Sequence, residues 1–296
     1  MRRSLIVICA AILLQQGCLW NKKDSVFPKY DEKIYNSKKE YLYIVKGIRF
    51  EESGNFEKAL ELYERALKQN PKSIAYYWEG LAYENKARNT VSDYCNARKK
   101  NMRASPPDEN LIKTWGDKSV VSYETALKSF PQNDDINFRC GKTALDITED
   151  MDKAGEYLKK ASELKPDKHE YNVALAEYYL FSKNFTAARR EAEIILKARK
   201  SRHKTEAYWI MGRIEAEQRS FLKSIELLKT SLSYSHTLNM AYYDLARAYE
   251  ETQATASAKE YYKKFISSFT ATSLRDVAVL DKAEEALEQG GRKGEK

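Results

Sequence analysis

The stretch YIVKGIRFEESGNFEKALELYERALKQNP, residues 43–71, decides how the rest of the chain is read. Apolar residues recur at helical spacing on both sides of Gly54 and Asn55, so it reads as two amphipathic helices joined by a tight turn. Gly47 and Ala59 stand twelve residues apart, and Tyr63, Ala66 and Pro71 follow Ala59 at offsets of four, seven and twelve. A small residue on each helix lets the backbones approach closely, while a large apolar one fills the space beside them.

The same set returns along the chain. A small residue opens the second helix at Ala59, Ser119, Ala154, Ala188, Ser224 and Ala258, in steps of 60, 35, 34, 36 and 34. The small residue of the first helix falls at Gly47, Ala82, Gly141, Ala176, Gly212 and Ala246. A later position runs Ala66, Ala126, Ala161, Ile195, Ser231 and Phe265, so its smallness decays toward the C-terminus. Tyr63, Tyr123, Leu158, Leu228 and Tyr262 take the large apolar site, and Pro71, Pro131 and Pro166 mark hand-over points.

This pattern resembles the tetratricopeptide repeat, a helix-turn-helix unit of 34 residues. The resemblance covers residues 40–272 and implies an all-α superhelical solenoid of about six repeats, over 40–73, 74–133, 134–168, 169–204, 205–238 and 239–272. No single helix pair can bury its apolar face, so neighbours must stack. Residues 273–289, with apolar positions at helical spacing before two glycines, resemble the C-terminal helix that caps such arrays. The tail, 290–296, is expected to be disordered.

The 60-residue step places an insertion in the second repeat, within about 88–113. It holds Cys95, the basic residues Arg98, Lys99, Lys100 and Arg103, and the Pro106-Pro107 break. Two readings stay open: a surface excursion made of a short helix and a loop, or a device that lines a binding face. For Cys95 and Cys140 the alternatives are a disulfide and two free thiols, with Cys140 packed as a small hydrophobe.

Ahead of the repeats, MRRSLIVICAAILLQQGC (1–18) has a basic start and ten apolar residues, Leu5 to Leu14. Ten residues rise about 15 Å as a helix, too short to span a bilayer. The layout is that of an export signal, 1–17, and the Gly17-Cys18 ending resembles the lipobox of bacterial lipoproteins. In that family the leader is cut before the cysteine, which then carries the acyl chains that give stable anchoring. The alternative is a plain leader cut nearby. Residues 18–39 read as a tether with a reach of ~25 Å. The implied localisation is export, with a lipid anchor in a bacterial membrane, the outer membrane by preference.

Charged residues make up 32% of the chain, against 6 prolines and 11 glycines, which favours long helices. Net charge is +8, or +6 without Arg2 and Arg3, a mild bias far from a nucleic-acid footprint.

No motif supplies catalysis, a cofactor or a metal. CGKT (140–143) imitates the end of a phosphate loop, but Ile136 stands where the loop needs glycine. HEYNV (169–173) lacks the second histidine of a zinc helix, and DITEDMD (146–152) lacks the glycine and glutamate of a calcium loop. His169, His203 and His236 fall near turns between repeats. The expectation is a protein that is not an enzyme.

The tetratricopeptide resemblance implies binding in the groove lined by the first helices. Its positions fall on Ile44 and Ile48, Glu79 and Tyr83, Phe138 and Lys142, Val173 and Glu177, Trp209 and Arg213, and Tyr243 and Arg247. The asparagines of the carboxylate clamp used by chaperone adaptors are missing, so that specificity is not carried over. Each aromatic has a second reading as core. The basic run KARKSRHK (197–204) reads as a solvated helix end or as a contact for anionic lipid or an acidic partner. The function implied is a membrane-tethered scaffold for envelope proteins, with no nucleic acid bound. The alternative is an accessory protein holding a small solute or lipid in a cavity.

Overall fold

A computed structural model describes residues 39–100, 105–199 and 201–292. The leader, Cys18 and the tether up to residue 38 lie outside the described residues, as do Arg103, Lys200 and residues 293–296. Regular structure among the described residues is helical throughout. In chain order the helices are α1 (Lys39–Glu52), α2 (Phe56–Gln69), α3 (Ala75–Lys99), α4 (Glu109–Ser129) and α5 (Asp134–Thr143). After one turn of π-helix, Ala144–Thr148, come α6 (Met151–Leu164), α7 (His169–Phe181), α8 (Phe185–Lys197) and α9 (Lys204–Glu217). The chain ends in α10 (Phe221–Tyr234), α11 (Asn239–Glu251), α12 (Thr255–Ser268) and α13 (Leu274–Arg292).

The chain divides into two units. Unit 1 comprises residues 1–82 and 122–133, and unit 2 comprises 83–121 and 134–296. Unit 1 contains α1, α2, the start of α3 and the end of α4. Its core is the small-large packing expected from the sequence: Ala59, Tyr63 and Ala66 are fully buried, and Tyr63 donates from its hydroxyl to Glu51 Oε2 at 2.9 Å. Burial, with Glu51 beside the hydroxyl, pushes the Tyr63 pKa well above the ordinary range. Tyr77 meets Trp78 edge to face at 5.2 Å and Tyr123 at 6.0 Å.

Unit 2 is built from the pairs α5 with α6, α7 with α8, α9 with α10 and α11 with α12, followed by α13. Ala154, Ala188, Ser224 and Ala258 lie buried at one crossing, and Gly141, Ala176, Gly212 and Ala246 at the facing one. The closeness is measurable at Gly141, where an added Cβ would stand 2.8 Å from the backbone nitrogen of Leu158. Only a residue without a side chain fits there.

The turn inside each pair uses one conformation. Gly54, Glu149, Lys183, Arg219 and Gln253 all have positive φ, between 57° and 77°. The residue after each is the N-cap of the next helix, and the side chains of Asn55, Asp150 and Asn184 accept from the backbone N–H three residues on. Glycine is used at this turn only in the first pair; the others hold long polar residues in the left-handed region, at some cost.

The insertion differs from a surface excursion. Residues 88–99 prolong α3, residues 109–113 open α4, and the Pro106-Pro107 break falls between the two helices. Ala87, Val91 and Cys95 of α3 and Ile112 of α4 are buried in one cluster with Leu280 and Ala283 of α13. Arg98 bonds Asp281 Oδ1 at 2.6 Å and also pairs with Glu284. The insertion and the C-terminal helix therefore pack on each other within unit 2, although 183 residues separate Arg98 from Asp281. Cys95 and Cys140 are both buried and both free, so the disulfide reading is set aside. Burial raises the Cys95 pKa, which keeps its thiol protonated. Helix α13 runs to Arg292, beyond the 289 expected for the cap and into the stretch expected to be disordered.

Candidate functional site

The inner helices α5, α7, α9 and α11 each present residues four apart on one face, and the near-constant repeat step turns that face the same way each time. In unit 2 this creates a cavity of about 310 Å³. Lys142, Glu177, Trp209, Arg213, Tyr243 and Arg247 all line it. These are six of the twelve groove positions carried over from the repeat pattern. The cavity also takes in Asp146, Phe181, Asp244, Arg275 and Lys282, which the pattern missed. Asp146 and Phe181 stand one further turn along, four residues after Lys142 and Glu177, so extending the rule by one step finds them. Arg275 and Lys282 belong to α13, whose placement no repeat spacing encodes.

The other six positions are elsewhere. Ile44 is only 2% exposed and belongs to the core of unit 1, which removes it from a groove surface, and Ile48 is half-buried. Glu79 accepts from Ser122 Oγ at 2.7 Å, within unit 1. In unit 2, Lys118 lies over the Tyr83 ring at 5.4 Å and Phe138 stacks on Tyr171 at 4.6 Å. Val173 packs against the core cluster around Trp209.

A chain of alternating charges runs into the cavity floor. Glu84 bonds Arg88 at 2.9 Å, Arg88 reaches Asp146 at 3.2 Å, Asp146 faces Lys142 at 3.1 Å, and Lys142 bonds Glu177 at 2.7 Å. The π turn puts Asp146 between its two cations. Burial works against charge on Asp146 and Lys142, but their partners win. Asp146 is held below the usual carboxylate range by Lys142 and Arg88, and Lys142 is held above its ordinary value by Asp146 and Glu177.

Trp209 has both characters that the sequence left open. Its ring is 4% exposed and lies in the core, yet its edge borders the cavity, where Nε1 donates to Asp244 Oδ2 at 2.7 Å. Arg213 also meets Asp244, at 3.5 Å, and its guanidinium lies over Trp209 and Phe181 at 5.5 and 5.7 Å. Arg275 covers Phe181 at 4.0 Å and donates to the Leu145 carbonyl at 3.0 Å. Tyr243 is buried, with Arg247 over its ring at 5.9 Å. A second cavity of about 300 Å³ shares Arg213, Asp244 and Arg247 with the first.

Chemically, this lining offers charge, hydrogen bonds and aromatic faces for recognition. Among the described residues no three His, Cys, Asp or Glu side chains are placed to hold a metal ion, and no helix is long and apolar enough to cross a membrane.

Tetratricopeptide-repeat family models match residues 44–92, 143–168 and 241–269. Over those stretches the helices match the tetratricopeptide repeat. A solved tetratricopeptide repeat protein from Parabacteroides merdae is similar to the chain, with 16% identity, a TM-score of 0.59, and coverage of 86% of this chain and 92% of the other. A second structure, YrrB, described as a tetratricopeptide repeat protein with an unusual peptide-binding site, gives 19% identity and a TM-score of 0.51 over 71% of this chain and 94% of its own. At such identities the likeness establishes the all-α repeat fold alone. No curated protein matches the chain in sequence. Tetratricopeptide repeats are scaffolds whose concave surfaces hold other proteins.

Proposed function

We propose that the chain is a non-enzymatic scaffold that holds an envelope protein against the inner face of unit 2 while a lipidated Cys18 tethers it to a bacterial membrane. One observation supports the binding site above others: inner helices of four successive repeats contribute to one cavity, through Lys142, Glu177, Arg213 and Arg247. Aromatic rings interleaved with arginines have the composition of binding hot spots. The tether rests on the sequence of residues 1–18 and its resemblance to a lipobox. Of the alternative, a protein holding a small solute or lipid, the same cavity disfavours the lipid, because five cationic and four carboxylate side chains line it.

Affinity capture from crosslinked envelopes tests the binding half, comparing the native chain with Arg247→Glu. Arg247 is exposed, so reversing its charge leaves the core intact. A protein retained by the first and lost by the second is the expected result. Equal capture would move the contact off the inner face. For the tether, Cys18→Ala should shift the protein from the membrane fraction to the soluble one, and an unchanged distribution would contradict lipidation.

A further inference from the structure

We propose that the inner cavity of unit 2 is an acid-recognition site, which takes the carboxylate side chains of an acidic segment of the partner between Arg247 of α11 and Lys282 of α13. This deepens the scaffold reading and rests on it.

The charges lining the cavity do not balance. Each carboxylate is already engaged: Asp146 by Lys142 and Arg88, Glu177 by Lys142, and Asp244 by Trp209 and Arg213. Asp276, in the first turn of α13, reaches back to accept from the backbone N–H groups of Thr272 and Ser273 at 2.8 and 3.0 Å. Three of the cations are engaged as well. Lys142 holds two carboxylates, Arg213 holds Asp244, and Arg275 has the Leu145 carbonyl and, at 3.8 Å, Glu149. Arg247 and Lys282 line the same cavity and make none of these ion pairs, although Arg247 also borders the second cavity beside Glu217 and Glu251. A cavity whose anions are all satisfied and whose two open charges are both positive favours an anion.

The source of that anion follows from where the two cations come from. They stand on different helices, so they suit two carboxylates spaced along a chain better than one small acid. The aromatic rings of Phe181, Trp209 and Tyr243 offer contact to the segment between those carboxylates. Because Lys282 belongs to α13, an occupant that bridges both cations also ties the C-terminal helix to the sixth repeat.

The test uses the full chain in detergent and hexaglutamate as the probe, with hexaglutamine and free glutamate as comparisons. Hexaglutamate is expected to bind at one site, at least about tenfold tighter than either comparison. It should weaken about tenfold in the double variant Arg247→Ala, Lys282→Ala. It should also slow amide exchange in α13. Removing two exposed lysines elsewhere, Lys128→Ala with Lys263→Ala, should leave binding unchanged and so exclude a general charge effect. Binding of free glutamate as tight as that of the peptide would overturn the partner-segment assignment, and equal loss in both double variants would overturn the site. If hexaglutamate fails to bind while Arg247→Glu still abolishes partner capture, the scaffold reading stands and the acid specificity falls.

Discussion

In unit 1 the ion pairs of α2, Arg65 with Glu61 and Lys68 with Glu64, lie outside, with every side chain more than half exposed. In unit 2 the chain from Glu84 through Arg88, Asp146 and Lys142 to Glu177 turns inward, and none of its side chains is more than 26% exposed. Both units use the same small-large helix packing, so the difference is not one of fold. Exposed i, i+4 pairs contribute a few tenths of a kcal/mol and can be exchanged freely. Inward charges pay a desolvation cost that surface pairs avoid, and well-packed apolar residues would often serve stability as well. The contrast is one of placement: Lys142, Asp146 and Glu177 of the inward chain line the cavity, while the α2 pairs face solvent.

Trp209→Ala is expected to have the largest effect on this comparison. It removes a buried ring and takes the Nε1 donor from Asp244, at a cost of about 3–5 kcal/mol, read as a drop in thermal midpoint. A variant that melts like the native protein would show that the ring is a groove residue alone.

Asp146→Asn comes next and is set against Glu61→Ala. At neutral pH the first should cost about 2–3 kcal/mol, because Lys142 and Arg88 lose their shared carboxylate, and the second less than about 0.5 kcal/mol. The pH dependence has a definite sign. Asp146 is held below its ordinary value of 3.8, so its stabilisation is present above 3.8 and lost as pH falls through the lower folded value. The gap between native and Asp146→Asn should therefore close in acid. Equal costs for Asp146→Asn and Glu61→Ala would erase the distinction between the units.

Ala258→Leu tests the shared frame. Overpacking the crossing of α11 and α12 should cost about 1–3 kcal/mol in chemical denaturation, without altering the cavity charges. The smallest effect has the opposite sign. Arg219→Gly relieves a positive φ of 60° in an exposed turn and should stabilise by about 0.5 kcal/mol, measured as a small rise in thermal midpoint.

The frame was legible because close helix crossing is a local rule written in residue size. Gly47, Ala59 and Tyr63 already state it, and the later positions repeat it at nearly constant spacing. The cavity was legible only in part. Lys142, Glu177, Arg213 and Arg247 follow from the repeat step, but Ile44 of α1 and Trp209 of α9 show that a position the repeat assigns to the groove can lie in the core. The contribution of α13 was not legible, because Arg98 meets Asp281 and Glu284 through tertiary packing that no periodicity encodes. Nor was the insertion, since a 60-residue step says that extra residues exist without saying that they lengthen α3 and α4.

The most direct test of the inner face as the binding surface is site-specific photocrosslinking in intact cells. A benzophenone side chain is placed at position 247, inside the cavity, and separately at exposed position 263 on α12. The account predicts a discrete protein adduct from position 247 and none from 263. Adducts from 263, with none from 247, would contradict it and place the partner on the opposite side of the repeats.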